Sequence, residues 1–352
     1  MEGGSGIGAG VSASGLAWPH GGKPSRARPR LLAVALGWVL LAAAEAAPAS
    51  IYYVAPAGND SNPGTEALPW RTIQKAADTL QAGDTVLIRA GTYNERVIPQ
   101  FSGTAGLPIT YSAYPGESPV LDGTGIAVPT DEGLFHVVDR QHLRVIGLRI
   151  VHSAYAGIYA DMSGHLLVHG NSTFDTVSSG IGIWGSTDVT IEGNRVEESN
   201  GGGWQECITV AGTDTFTVRD NEVLDCHKEG ICLKDGSAHG QVYRNRTRRT
   251  DSGGLYVDAW DKHTHDIDLF QNVVRETLLP KAGIGLSSEQ GGLLEDVRVY
   301  YDKEVDRTIR QSLTLFGPIM LLVLASVFVL MALAYYLPLF RLLRLIPGTV
   351  VR

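Results

Sequence analysis

An all-β solenoid, a parallel β-helix, is the fold class this sequence predicts. Three observations carry that prediction: 42 glycines against only 8% aromatic residues, a strand-length apolar segment recurring at intervals of 23 to 27 residues, and an asparagine at the same place in each recurrence. Glycine in that abundance suits a chain of many turns and close backbone approaches. With 352 residues, 44% hydrophobic and 19% charged, the chain can bury a sizeable core. A net charge of −8 with only short arginine clusters leaves no basic footprint for phosphates, so nucleic acid is excluded as a partner.

Residues 1–46 read as a Gly/Ser-rich tail followed by a secretory signal. The apolar run LLAVALGWVLLAAA is short for a bilayer span, and Ala44-Glu45-Ala46 offers a small-residue cleavage site. An uncleaved anchor is the alternative, and both place the following domain, 47–300, outside the cytoplasm. Its first part, about 51–115, reads as strand, turn, short amphipathic helix over Trp70 to Leu80, turn and strand. A solenoid needs such a cap, because its open end exposes unpaired backbone and apolar side chains. The stretch IYYVAPAGNDSNPGTEALPWRTIQKAADTLQAGDTVLIRAGTYNERV resembles the N-terminus of exported right-handed β-helix proteins related to pectate lyases, and the resemblance extends over about 51–300. It implies a right-handed helix and a polysaccharide-directed function.

The coils occupy about 134–300. LRVIGLRI, LLVHGNST, VTIEGNRV, FTVRDNEV, GQVYRNRT and IDLFQNVV align and place Asn171, Asn194, Asn221, Asn245 and Asn272 in one column. A unit of that length buries its apolar face only against its neighbours, and stacked asparagines then form an amide ladder. A second column follows at Gly157, Gly180, Cys207, Gly230, Gly254 and Gly283, each opening a further strand. Alternation turns Ile158, Ile181, Ile183, Ile208, Val210, Ile231, Leu233, Leu255, Val257, Ile284 and Leu286 inward. It leaves the glycine column outside as a shallow floor.

Flanking that floor, one outward column reads Tyr159, Gly182, Thr209, Cys232, Tyr256, Gly285 and the next Asp161, Trp184, Ala211, Lys234, Asp258, Ser287. Glu206 and Glu229 stack just before the strands. Stacked carboxylates repel unless they share a proton or a cation, so these two, with Lys234 and Asp258, are the candidate catalytic residues. Trp184, Tyr159, Tyr256 and Trp204 are candidate sugar platforms, each offering an apolar ring face. The bland alternative makes both glutamates solvated turn residues and pairs Lys234 with Asp258. In the resembling family, uronate polymers are eliminated with calcium and a Lys or Arg base. The resemblance thus implies Lys234 as base and calcium as cofactor, with Asp235 and Asp258 as metal ligands. No dense aspartate cluster matches the lyases' calcium site. Hydrolysis by a pair drawn from Glu206, Glu229 and Asp258 is the runner-up chemistry, and a non-catalytic carbohydrate-binding or surface module the second reading.

Asp261, His263, His265 and Asp266 are metal-capable types but read as solvated polar residues of an inter-coil turn. Cys207, Cys226 and Cys232 lack metal spacing and read as small packing residues. Cys207 and Cys232 are offset by one rung and two residues, about 8 Å, too far for a disulfide.

From Tyr301 the columns stop and a charged helical pattern opens 301–352, with an uncharged run from Leu313 to Phe340 long enough to cross a bilayer. YYDKEVDRTIRQSLTLFGPIMLLVLASVFVLMALAYYLPLF resembles the end of the inner-membrane platform protein of type II secretion and type IV pilus machines, although Gly317 stands before Pro318 where that family has an acidic residue. That resemblance implies a topology opposite to the signal peptide's. Flanking charges do not arbitrate, since Lys303, Arg307 and Arg310 balance Arg341, Arg344 and Arg352. A gene fusion or an assembly join near Tyr300 reconciles the halves. The expected protein is an exported monomer, anchored to the membrane by its C-terminal helix. It acts on an acidic polysaccharide, and a secretion-platform role ranks last.

Overall fold

The computed structural model describes residues 49–202, 204–278 and 282–300, and beyond them only Ser326. The chain divides into units 1–46 and 47–352, and every described residue belongs to the second. The expected signal peptide and C-terminal membrane helix, with its platform resemblance, lie outside the described residues. Among those described, no helix is long and apolar enough to cross a membrane.

The chain winds as a parallel β-solenoid with three sheets, here called A, B and C, of ten, eight and seven strands. One coil shows the plan: Thr187–Glu192 in sheet A, Arg195–Ser199 in sheet B, then Ile208–Ala211 in sheet C. Each strand pairs in parallel with its equivalents in the coils before and after, as Ile181↔Ile208 and Ile208↔Ile231 do in sheet C.

Between sheets A and B the asparagine ladder forms as expected. Asn171, Asn194, Asn221 and Asn245 each donate Nδ2 to the Oδ1 of the next, at 2.9 to 3.1 Å, and Asn272 closes the series. Each Nδ2 also donates to a carbonyl of the coil before, as from Asn221 to Ile191 at 2.9 Å. All five side chains are buried, so the ladder supplies partners that water cannot.

The core is lined by the aliphatic residues that alternation selects, and Ile158 to Val257 of that set are buried. The last two are not: Ile284 is partly exposed and Leu286 is 47% exposed, since no described strand stacks beyond theirs. The capping helix is shorter than expected, Ile73–Ala77, because Trp70 is held extended by a bridge to Val54. Thr72 caps it, and the Glu95 carboxylate accepts from the amides of Ile73 and Gln74, meeting the donors a helix start leaves open.

The glycine column is not an outward floor. It lies at the corner between sheets B and C and faces inward. A Cβ on Gly180 would sit 2.4 Å from Thr173 Oγ1, and one on Gly254 2.3 Å from Val274 Cγ1. Strand alternation cannot be carried through a corner, which is why parity misplaces this column. Its exception, Cys207, also points inward and forms a disulfide with Cys226 across the same corner, Cα atoms 6.0 Å apart. Cys207 and Cys226 are therefore not mere packing residues, whereas Cys232 is free and buried.

A further column lies at the start of sheet A. His165, Asp188, Thr215, His239 and Asp266 all have φ between 51° and 59°. The ladder passes over these residues, pairing Leu166↔Val189 and Gly164↔Thr187, so each is an in-phase bulge whose side chain is re-aimed outward.

Candidate active site

The outer face of sheet C carries a cleft of about 540 Å³ where the two columns predicted to face outward run beside each other. Register places Trp184, Ala211 and Lys234 on successive strands, and Asp258 at the same position one strand on. The longer loop before Ile208–Ala211 brings Trp204, Gln205 and Glu206 over the edge of the sheet.

Lys234 is the centre of the arrangement. Its ammonium donates to Glu206 and to Gln205 Oε1, each at 3.0 Å, and lies 5.5 Å from the centroid of the Trp184 ring. Glu206 is 4% exposed and gains a second cation, Lys228 Nζ at 3.4 Å, and a hydroxyl donor, Thr209 Oγ1 at 3.0 Å. It is thus not a solvated turn residue. Lys234 pairs with Glu206, not with Asp258. Burial works against the Lys234 charge, but Glu206 and the neighbouring anions outweigh it and hold the amine above the ordinary lysine range.

The second stacked carboxylate, Glu229, accepts from Ser252 Oγ at 2.6 Å through one oxygen, while its Oε2 is buried without a partner. Asp258 accepts from the Trp260 amide at 2.8 Å, and burial is the main cause of its raised pKa. Asp235 is raised for the same reason, with Asp258 adding to it.

Trp184, Trp204 and Tyr256 line the cleft as expected, Trp204 with 80% of its surface exposed. Tyr159 does not. It is buried on an earlier strand, its ring edge-on to His136 at 5.7 Å and lying over Gly182, away from the lysine. Three residues that sequence reasoning missed complete the wall: Lys228, Trp260 and Glu289, the last accepting from the Tyr256 hydroxyl. Parity was the signal available for two of them, since Tyr256, Asp258, Trp260 and Gly285, Ser287, Glu289 continue the outward alternation past the strand ends.

Calcium takes six to eight oxygen ligands. Asp235 and Asp258 offer oxygens of that kind, but among the described residues no three carboxylates of the cleft bring their oxygens within 4.8 Å of one another. Asp235 and Asp258 by themselves fall short of that number. Of the Asp261, His263, His265, Asp266 group, the structure places the last three not in a turn but at the start of a sheet A strand, His263–Phe270.

The family signature described as Pel9A-like, right handed beta helix region, matches residues 52–276. The protein YwoF of Bacillus subtilis (strain 168) is 30% identical over 305 residues, 75% of this chain and 64% of its own length. Pectate lyase PEL9 of Emericella nidulans is 29% identical over 237 residues, 63% of this chain and 52% of its own. The chain therefore spans less than two thirds of either relative. Solved structures with a similar course include an alginate lyase from Paenibacillus sp. str. FPU-7, at a TM-score of 0.44 and 17% identity over 72% of this chain and 99% of that one. Pectate lyase Pel9A gives 0.40 and 16% over 66% and 78%.

Proposed function

We propose, since this chain belongs to the Pel9A-like right-handed β-helix family, that it acts on polysaccharide and cleaves an acidic, uronate-containing chain by β-elimination in the sheet C cleft. The observation that carries the reading is Lys234, a partly buried amine held between a carboxylate and an aromatic face in an open groove. The relative named a pectate lyase supports the substrate class.

In this reading Lys234 Nζ, as the neutral amine, takes the proton from the carbon beside the uronate carboxylate. The electron pair of that C–H bond forms the new double bond, and the adjacent C–O bond breaks. The departing oxygen takes its proton from water in the open cleft, while the Lys234 ammonium just formed returns its proton to solvent, and Asp258, on the strand beside Lys234, orients that water. Lys228, partly exposed beside Glu206, faces the uronate carboxylate and offsets its charge as the carbanion develops. Trp184, Tyr256 and Trp204 hold sugar rings. Glu206 keeps the amine in place, and because it also favours the charged form, turnover rises with pH. The Cys207–Cys226 disulfide suits an oxidising compartment, in keeping with export.

The test is incubation of the full chain with polygalacturonate, alginate and a neutral glucan, with and without calcium, following ultraviolet absorbance of unsaturated product. Unsaturated ends from a uronate polymer, lost in Lys234→Ala, are the expected result. Reducing ends without unsaturation would replace elimination by hydrolysis, and binding without any product would make the cleft a carbohydrate-binding surface.

A further inference from the structure

We propose that His239, His265 and Asp266 form a binding site for a divalent transition-metal ion of the zinc class on the outer edge of sheet A. It lies on a different sheet from the cleft. His239 comes from the strand Ala238–Tyr243, and His265 and Asp266 from His263–Phe270 in the next coil. The bulge column explains the meeting. His239 and Asp266 occupy the same bulge position in consecutive coils, both with left-handed backbone, so their side chains leave the sheet in register.

One ligand atom from each residue falls within a sphere where all lie within 4.8 Å of one another. His239 Nε2 stands 3.8 Å from Asp266 Oδ2, and His265 Nδ1 stands 2.8 Å from the same oxygen. Ligand atoms on a tetrahedral ion, bonded at about 2.0–2.1 Å, stand about 3.4 Å apart. The two observed separations bracket that value, and the side chains are partly exposed, so small rotations suffice. Imidazole and carboxylate together suit zinc rather than calcium, and water would complete the coordination.

A further residue is placed as metal sites place it. Asp214, on the preceding coil, holds His239 Nδ1 at 2.5 Å. A hydrogen donated through Nδ1 fixes the neutral ring with its lone pair on Nε2, the atom facing Asp266. Carboxylates commonly orient ligating histidines in this way. His263 packs against His265 with ring centroids 4.2 Å apart and is itself tied to Glu295 at 3.0 Å, which limits the freedom of the second imidazole. A bound ion would bridge two consecutive coils side chain to side chain at the start of sheet A, at the opposite end of its strands from the asparagine ladder. His142 and His165, stacked at 4.2 Å on earlier coils of the same sheet with Asp188 on His165, offer the same residue types but do not bring one ligand atom from each within 4.8 Å of the others, so they serve as the internal control.

The full chain, prepared without a polyhistidine tag and stripped with EDTA, is titrated with zinc chloride by calorimetry and by competition with a chromophoric chelator. Saturable uptake of one ion per chain and a higher melting temperature with zinc are expected. His239→Ala and His265→Ala should each weaken uptake by well over tenfold, Asp214→Asn by about tenfold through the lost orientation, and His142→Ala should leave it unchanged. Absence of saturable binding, or equal binding by His239→Ala and the parent chain, overturns the site. Loss of binding in His142→Ala alone moves the ion to the other pair and overturns it as well.

Discussion

Two columns of polar side chains run along this solenoid, one inside between sheets A and B and one outside on sheet C. The inner column repeats a single residue, and each asparagine is satisfied by the one above and the one below. The outer column changes at every strand: Trp184, Ala211, Lys234 and Asp258 follow one another, and their partners arrive from loops of other coils. Sameness along the axis can only propagate a fold, since every rung asks for what its neighbour asks. A reaction needs unlike groups side by side, and the two longer coils add Trp204 to Glu206 and Asp258 to Trp260 to what the shorter coils carry in Trp184 and Lys234. The inner column should therefore govern stability and the outer one turnover.

The sharpest way to break that division is Lys234→Ala. Loss of a positioned base should lower the rate on the responsive uronate polymer by about a thousandfold, with the melting temperature changed little, because Lys228 still faces Glu206. A melting temperature that collapses with the activity would make Lys234 a structural cation instead. Asn221→Ala tests the opposite side. It removes bonds to Asn194, Ile191 and Asn245, leaves buried donors unmet, and should cost about 3 kcal/mol in urea unfolding. Activity per folded molecule should stay near that of the parent. Gly254→Ala belongs with it but is smaller: the added methyl meets Val274 and Thr247 at the corner and should cost about 2 kcal/mol by the same measurement. An unchanged midpoint would show that the corner can give way.

Repetition is also what made the sequence legible. The asparagine ladder, the sheet C columns and most of the core follow from aligning segments and counting by two. Counting by two fails where the chain turns. It put the corner glycines and Cys207 outside, and so hid the Cys207–Cys226 bond, whose partner sits on another sheet. Tyr159 has the outward parity of Tyr256, yet His136 on the preceding strand packs against it and closes it off, a matter of what covers the face rather than which face it is. The pairing of Lys234 with Glu206 was unreadable for a similar reason, as the loop carrying Glu206 has no period to place it. His239 was missed beside His265 because the bulge column brings together residues from different coils, and a local cluster shows only one coil's share.

The smallest expected effect is the most discriminating. If Lys234 is the base, the active form of the enzyme is the one in which this amine has lost its proton, and Glu206 opposes that loss through its charge and its hydrogen bond. The activity of the parent chain should then climb through the alkaline range. Glu206→Gln keeps the shape and an acceptor for the amine but removes the charge, so the proton leaves Lys234 more easily and the rising limb should move to lower pH. Below that limb the variant should be several-fold faster than the parent at equal pH, and above it somewhat slower, since a less basic amine draws the proton less strongly. Initial rates on the responsive uronate polymer across pH 6 to 11 separate the alternatives. A limb that stays in place would mean that the titrating group is not Lys234. A limb that moves up would mean that Glu206 itself takes the proton, making the buried carboxylate the base and the lysine its counter-ion.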